Sequence, residues 1–291
     1  MHRPCFAIVL TAVSAPLLAE CVHSPSPQQV SSAPEGTTPT PASQELTTLK
    51  AKLTSADYRA DIDELSRLRD EVARLGTDRD LGYLAHYWSG FASWRMGING
   101  ANHQMKAEEL KTHLQKAATE FYSSLRLKDD FADAYAAAAL VNSWLATFYL
   151  GSNPDMVMVR ERASLSLALL SRASALDPEN PRVLWCKGAF IFFAPVAPEL
   201  QAGNIARAIE VYRRMLEAAE RRGVNAASPL PDWGKPEALM SLASAHAKQT
   251  PSDLRAALDE ANAALKIEPD WSYMRDNLIP QIERRLRPDP R

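Results

Sequence analysis

Apolar positions recur along this chain about every 3.6 residues, the repeat of an α-helix, and short polar breaks cut the pattern into runs. In "SALDPENPRVLWCKGAF", Ser174 to Phe190, two such runs flank an Asp-Pro-Glu-Asn cluster. A proline clashes with the preceding turn of a helix but fits its first turn, so Pro178 is expected to close one helix and Pro181 to open the next. The break recurs in "LRLKDDFADAYAAAAL" (Leu125 to Leu140) and "LKIEPDWSYMRDNL" (Leu265 to Leu278), with Leu127, Leu176 and Ile267 standing just before it. Upstream of each, "LQKAATEFYSSLRL", "LSLALLSRASAL" and "LRAALDEANAALKI" set small residues where two helices can pass closely. The pattern predicts an all-α chain of stacked helical hairpins.

Closer to the N-terminus, "SADYRADIDELSRLRDEVARLG" carries Ile62, Leu65, Leu68, Val72 and Leu75 at helical spacing, with Ser55 as a candidate N-cap. "DRDLGYLAHYWSGFASWRMGI" follows as a helix apolar on most sides, which predicts burial. The two should form one more hairpin. At the other end "SYMRDNLIPQIERRLRPDPR" reads as a polar capping helix bent at Pro280.

These hairpins resemble the tetratricopeptide repeat family, whose unit of about 34 residues is a helix pair with small residues at the crossing and a closing proline. "GNIARAIEVYRRMLEAA" offers Gly203 for the turn, Ala208 as the small residue and Tyr212 as the aromatic of a second helix. "PEALMSLASAHAKQTPSDLRAALDEANAALKIEP" matches at Leu239, Leu242, Ala243, Ala257, Ala264 and Pro269, with His246 in place of a tyrosine. Gly188 fits the small first-helix position, while Lys187 stands where the pattern has leucine and Asn142 where it has an aromatic. The intervals between Ala117, Ser166, Ala208 and Ala257 exceed the family unit, which places insertions at "GSNPDMVMVRE", "APVAPELQ" and "VNAASPLPDWGK". The resemblance implies a right-handed superhelix, an α-solenoid, over residues 46–291. Its best repeats are 117–193 and 203–269, its capping helix is 271–286, and a concave groove is lined by the first helix of each pair.

Composition agrees with helix: 46% of the 291 residues are hydrophobic, 23% are charged and only 11 are glycine. The formal charge of −2, from 33 basic and 35 acidic residues, leaves no basic excess for nucleic acid. Residues 1–20, with Arg3 ahead of an almost uncharged run, read as a secretion signal. "LAEC" resembles a bacterial lipoprotein box with Cys21 as the lipidated residue, although Glu20 departs from the pattern; cleavage near Ala19 without lipidation is the other expectation. Residues 21–45, rich in Pro, Ser and Thr, read as a disordered tether. Beyond Cys5 and Cys21 the only cysteine is Cys186, so no internal disulfide is expected.

A search for chemistry finds no HExxH, no GxSxG elbow, no Gly-rich phosphate loop and no paired cysteines at metal-ligand spacing. His103 and His113 read as a connector and a solvated face. No catalytic residue, metal or cofactor is therefore expected. Binding residues are the remaining candidates. Tyr83, Tyr87 and Trp94 form an aromatic stripe, Asn142 and Trp144 lie on the next first-type helix, Trp185 and Lys187 on the one after, and Trp233 in a Pro-rich connector. Each has a bland reading as core, or for Trp233 as a staple, beside the reading as a ligand contact. The expected function is a non-catalytic scaffold in the periplasm or lipid-anchored to the cell envelope, holding a partner polypeptide in its groove. The rival is a periplasmic small-ligand-binding or transport-accessory lipoprotein.

Overall fold

A computed structural model describes residues 39–194, 198–249 and 252–287. Among them are eleven α-helices and no strand. They are α1 (Pro41–Tyr58), α2 (Ile62–Ala73), α3 (Gly82–Asn102), α4 (Ala107–Leu127), α5 (Ala132–Thr147) and α6 (Met156–Leu176), followed by α7 (Pro181–Phe192), α8 (Pro198–Arg222), α9 (Lys235–Lys248), α10 (Leu254–Ile267) and α11 (Ile279–Leu286). The described residues are all-α, as the periodicity predicts. The expected leader, Cys21 and the expected tether up to residue 38 lie outside the described residues.

The helix ends follow local chemistry. Asn180 accepts a hydrogen bond from the Arg182 backbone N–H at 2.9 Å and Pro181 fills the first turn of α7, so the break read from the sequence is where a helix starts. Asp61, Asp155 and Asp253 cap α2, α6 and α10 in the same way. Ser55 is not a cap: it lies inside α1, and the chain breaks instead at Ala60, whose φ of 55° is the left-handed conformation that ends a helix.

Three other expectations are corrected. Residues 41–45, assigned to the tether, are helical, because Thr40 caps α1 and Pro41 opens it. Gly203 does not make a turn; it lies exposed within the 25 residues of α8, where a glycine costs only about 1 kcal/mol relative to alanine. Half of the expected insertion "GSNPDMVMVRE" belongs to α6, which Asp155 starts.

Helices pair in sequence, α3 with α4, α5 with α6, α7 with α8 and α9 with α10, and α2 packs on α3. The first helices of neighbouring pairs also touch, α3 with α5, α5 with α7 and α7 with α9. The residues that the repeat pattern selects as small, Ala117, Ser166, Ala208 and Ala257, are all fully buried at crossings. A Cβ added to Gly188 would collide with the ring of Tyr212, so only glycine lets α7 approach α8 this closely. In the last segment a π-turn, Met274–Leu278, precedes α11. Pro280 has no N–H to give to Asp276, and the wider turn, closed by Ile279 N–H on the Met274 carbonyl, absorbs the mismatch.

The helix α1 does not extend the row of pairs. It contacts α2 and α3, while its last residue, Tyr58, packs edge to face on Trp271 with ring centroids 4.9 Å apart and donates its hydroxyl to Glu237 of α9 at 2.8 Å. The first helix thus joins the last hairpin.

Candidate functional site

The face made by α3, α5 and α7 is where the repeat resemblance places a docking groove. Its aromatic residues are present but covered. Tyr87 and Trp88 are fully buried, Phe91 and Trp94 nearly so, and all lie on α3. Over them runs the connector between α8 and α9, residues 223–234. Trp233 enters the aromatic set with ring centroids 5.6 Å from Trp185, 6.0 Å from Phe91 and 6.4 Å from Trp94.

Polar bonds tie the connector down on every side. The Trp88 indole donates to the Pro229 carbonyl at 2.8 Å, the Arg182 guanidinium to the Trp233 carbonyl at 3.2 Å, and Trp233 Nε1 to the Tyr87 hydroxyl. Lys50 of α1 donates to the Asn225 carbonyl at 3.1 Å and pairs with Asp232 at 2.8 Å. At its end Gly234 holds a φ of 147°, closed to side chains, and an added Cβ would meet Pro181 at 3.0 Å. The end of the connector, with Pro231, Trp233 and Gly234 buried, is therefore a fitted part of the core, while residues 223–227 stay exposed.

The candidate binding residues divide accordingly. Tyr87, Trp94, Trp185 and Trp233 come together, as one stack. Trp185 is half-buried and donates to Ser241 Oγ at 3.0 Å. Tyr83 is half-buried at the margin, edge to face on Phe131 with Lys128 over its ring. Trp144 packs on the outside of the same core. Lys187 is exposed, two positions from Trp185 and so on another side of α7. Asn142 is fully buried and satisfied from within: its amide donates to the Tyr122 hydroxyl at 2.6 Å and the Ala138 carbonyl at 2.8 Å, and accepts from Arg162 at 2.7 Å. The amide of Asn142 is thus satisfied from within the fold.

Two buried ion pairs frame the stack. Arg182 bonds Asp133 at 2.6 Å, with Asn180 on the second oxygen at 2.9 Å. Arg95 bonds Asp57 at 2.6 Å, with Asn99 on the second oxygen at 2.9 Å. Burial opposes the charge on Arg95, yet the adjacent Asp57 carboxylate holds it firmly protonated. Beside this pair, Glu237 is 2% exposed; burial drives its carboxyl above the usual range, and Arg95 only partly offsets that. The same burial pushes the Cys186 thiol and the Tyr87 hydroxyl well above their ordinary values, which disfavours their ionised forms.

A cavity of about 360 Å³ opens next to the stack, between the ends of α1, α8 and α10 and the start of α9. Tyr58, Trp233, Ile267 and Pro236 give it apolar and aromatic wall; Glu220, Asp232, Lys235 and Glu268 give it charge. Sequence reasoning missed Tyr58 and Glu268 as lining residues. Leu46, Leu49, Leu53 and Ala56 carry the helical stripe that would have revealed α1 and hence the wall that Tyr58 supplies. Among the described residues no three His, Cys, Asp or Glu side chains gather as a metal site, and no helix is long and apolar enough to cross a membrane.

No known family model matches the chain, and no curated protein is similar to it.

Proposed function

We propose that this chain is a non-catalytic binding protein of the bacterial cell envelope, a tetratricopeptide-like array of helical hairpins that holds a small ligand in the cavity beside Trp233. The single observation behind this reading is that cavity. At about 360 Å³ it lies within the range of about 300 to 1,000 Å³ typical of small-molecule sites, and it combines an apolar and aromatic wall with a few charged groups. Its walls come from four helices and a connector pinned at both ends, so it is preformed.

The alternative, a partner polypeptide held along the α3–α5–α7 face, requires displacing the connector. That would break the Trp88, Arg182 and Lys50 bonds and expose the aromatic stack. The occupied face therefore favours the ligand reading over the groove reading. The leader sequence and the Cys21 motif support export, and the Pro-rich tether supports a domain held off a membrane surface.

Small molecules released by denaturing the full chain, purified from its native membrane fraction, test this by mass spectrometry. A stoichiometric compound that is absent from the cavity-filling Thr54→Trp variant is expected. Retention of a protein partner with no small molecule would overturn the reading.

A further inference from the structure

The cavity lies where three helices end. Thr54 and Tyr58 belong to the C-terminal end of α1, Ala219 and Glu220 to that of α8, and Ile267 and Glu268 to that of α10. Aligned peptide dipoles leave about half a negative charge at each helix C-terminus. Only α9 presents its N-terminus, at Lys235 and Pro236.

The side chains add the same sign. Asp232 is neutralised by Lys50 at 2.8 Å and Glu220 by Lys235 at 2.9 Å. Glu268 has no ion pair among the described residues. Glu237, bonded through Oε1 to the Tyr58 hydroxyl, lies behind this wall and does not line it. The wall thus has a surplus of negative potential set against the apolar surface of Ile267, Val224 and Pro236. A bare metal ion would need several convergent oxygen or nitrogen ligands, and the described residues supply no such group. One positive charge on an apolar body matches both halves of the wall.

We propose that the cavity binds a small organic cation, a protonated amine with an apolar body, its ammonium placed against the Glu268 carboxylate. This rests on the ligand-binding reading above and adds the charge of the ligand to it. Burial, then the carboxyls of Glu237 and Asp270, raise Glu268 to about 6. The other charged or titratable groups at the cavity are Tyr58 from α1, Glu220 from α8, and Asp232 and Lys235 from the connector and α9. Only the ionised form of Glu268 holds the ammonium, so affinity falls as pH drops through that value.

Isothermal titration of the full chain with phenethylamine, phenethyl alcohol and phenylacetate tests the assignment, because the three share a ring and differ in charge. The amine is expected to bind about tenfold or more tighter than the alcohol, the factor that one charge-assisted hydrogen bond supplies. That advantage should shrink below about pH 6 and disappear in Glu268→Gln, whose melting temperature stays at or above that of the parent. An alcohol or acid that binds as tightly as the amine, or an amine affinity indifferent to Glu268→Gln, overturns the proposal. If amine and alcohol bind equally and Thr54→Trp abolishes both, the charge assignment fails and the ligand-binding reading stands. If none of the three binds and the native chain releases no small molecule, both fail.

Discussion

The Trp233 indole donates to the Tyr87 hydroxyl at 3.2 Å, although 146 positions separate the two in the sequence. Through this bond a connector between two late helices becomes part of the core of an early one. Tyr87 in turn packs on Trp88 and on Phe131 at the start of α5, and Trp233 on Phe91, Trp94 and Trp185, so one residue of the connector bears on α3 and α7 directly and on the entry to α5 through Tyr87.

Replacing Trp233 by alanine should therefore cost about 3 to 5 kcal/mol of folding stability, the range for emptying a large aromatic from a core. Trp233→Phe should lose less, since it keeps the ring contacts and drops only the hydrogen bond to Tyr87. Urea denaturation followed by far-UV circular dichroism measures both. A loss under 1 kcal/mol for the alanine variant would mean that the connector is not fixed on the α3–α5–α7 face.

A methyl group at position 188 tests the α7–α8 crossing. Gly188→Ala should destabilise by about 1 to 3 kcal/mol through overpacking, because the Tyr212 ring it meets is itself buried. Combining it with Tyr212→Leu should give less than the sum of the two separate losses, a coupling that a double-variant cycle reads directly.

Three carboxyls, Glu237, Glu260 and Glu268, are raised by burial, and they predict how stability varies with pH. Glu237 and Glu268 both titrate above the ordinary value of 4.5 in the folded chain, Glu268 at about 6. Between 4.5 and the folded value the native state binds more protons than the unfolded state, so stability falls as pH rises through that window. Glu268→Gln should flatten the slope between 4.5 and about 6, and Glu237→Gln should flatten it further and raise stability at neutral pH, as read from urea midpoints across a pH series. A profile that climbs with pH over this range in the parent chain would contradict the burial of these carboxyls.

Asp57→Ala should cost about 3 to 5 kcal/mol, because it leaves the Arg95 guanidinium buried with its counter-charge gone. It also removes the acceptor of Asn99 and the hold of α1 on α3. Amide exchange across residues 41–58 would accelerate selectively if that hold is lost.

The helices, and the boundary at the start of α7, were legible because short-range chemistry sets them: Asn180 with Pro181 there, and the small residues Ala117, Ser166, Ala208 and Ala257 at the crossings. Each of these acts on neighbours within a turn or on the adjacent helix. What the sequence did not disclose depends on contacts between distant segments. Nothing near Trp233 says that Trp94 and Trp185 will surround it, and the apolar stripe of α1 is short enough to be hidden by the Pro- and Thr-rich stretch before it. Asn142 shows the limit from the other side. A buried amide in an aromatic position invites a ligand, and only the arrival of Tyr122 and Arg162 from the flanking helices reveals that it is already satisfied.

The bridge from Tyr58 to Glu237 bears on how the chain comes to be folded. An open row of repeats can nucleate anywhere and zip outward, each unit leaning only on the next. Here the first helix leaves the ribosome some 180 residues ahead of its partners at Asp232 and Glu237, and must wait for them. Once they dock, the first helix is tied to the last hairpin, so melting should be a single concerted event, and deleting the last hairpin should loosen α1 even though its contacts with α2 and α3 remain.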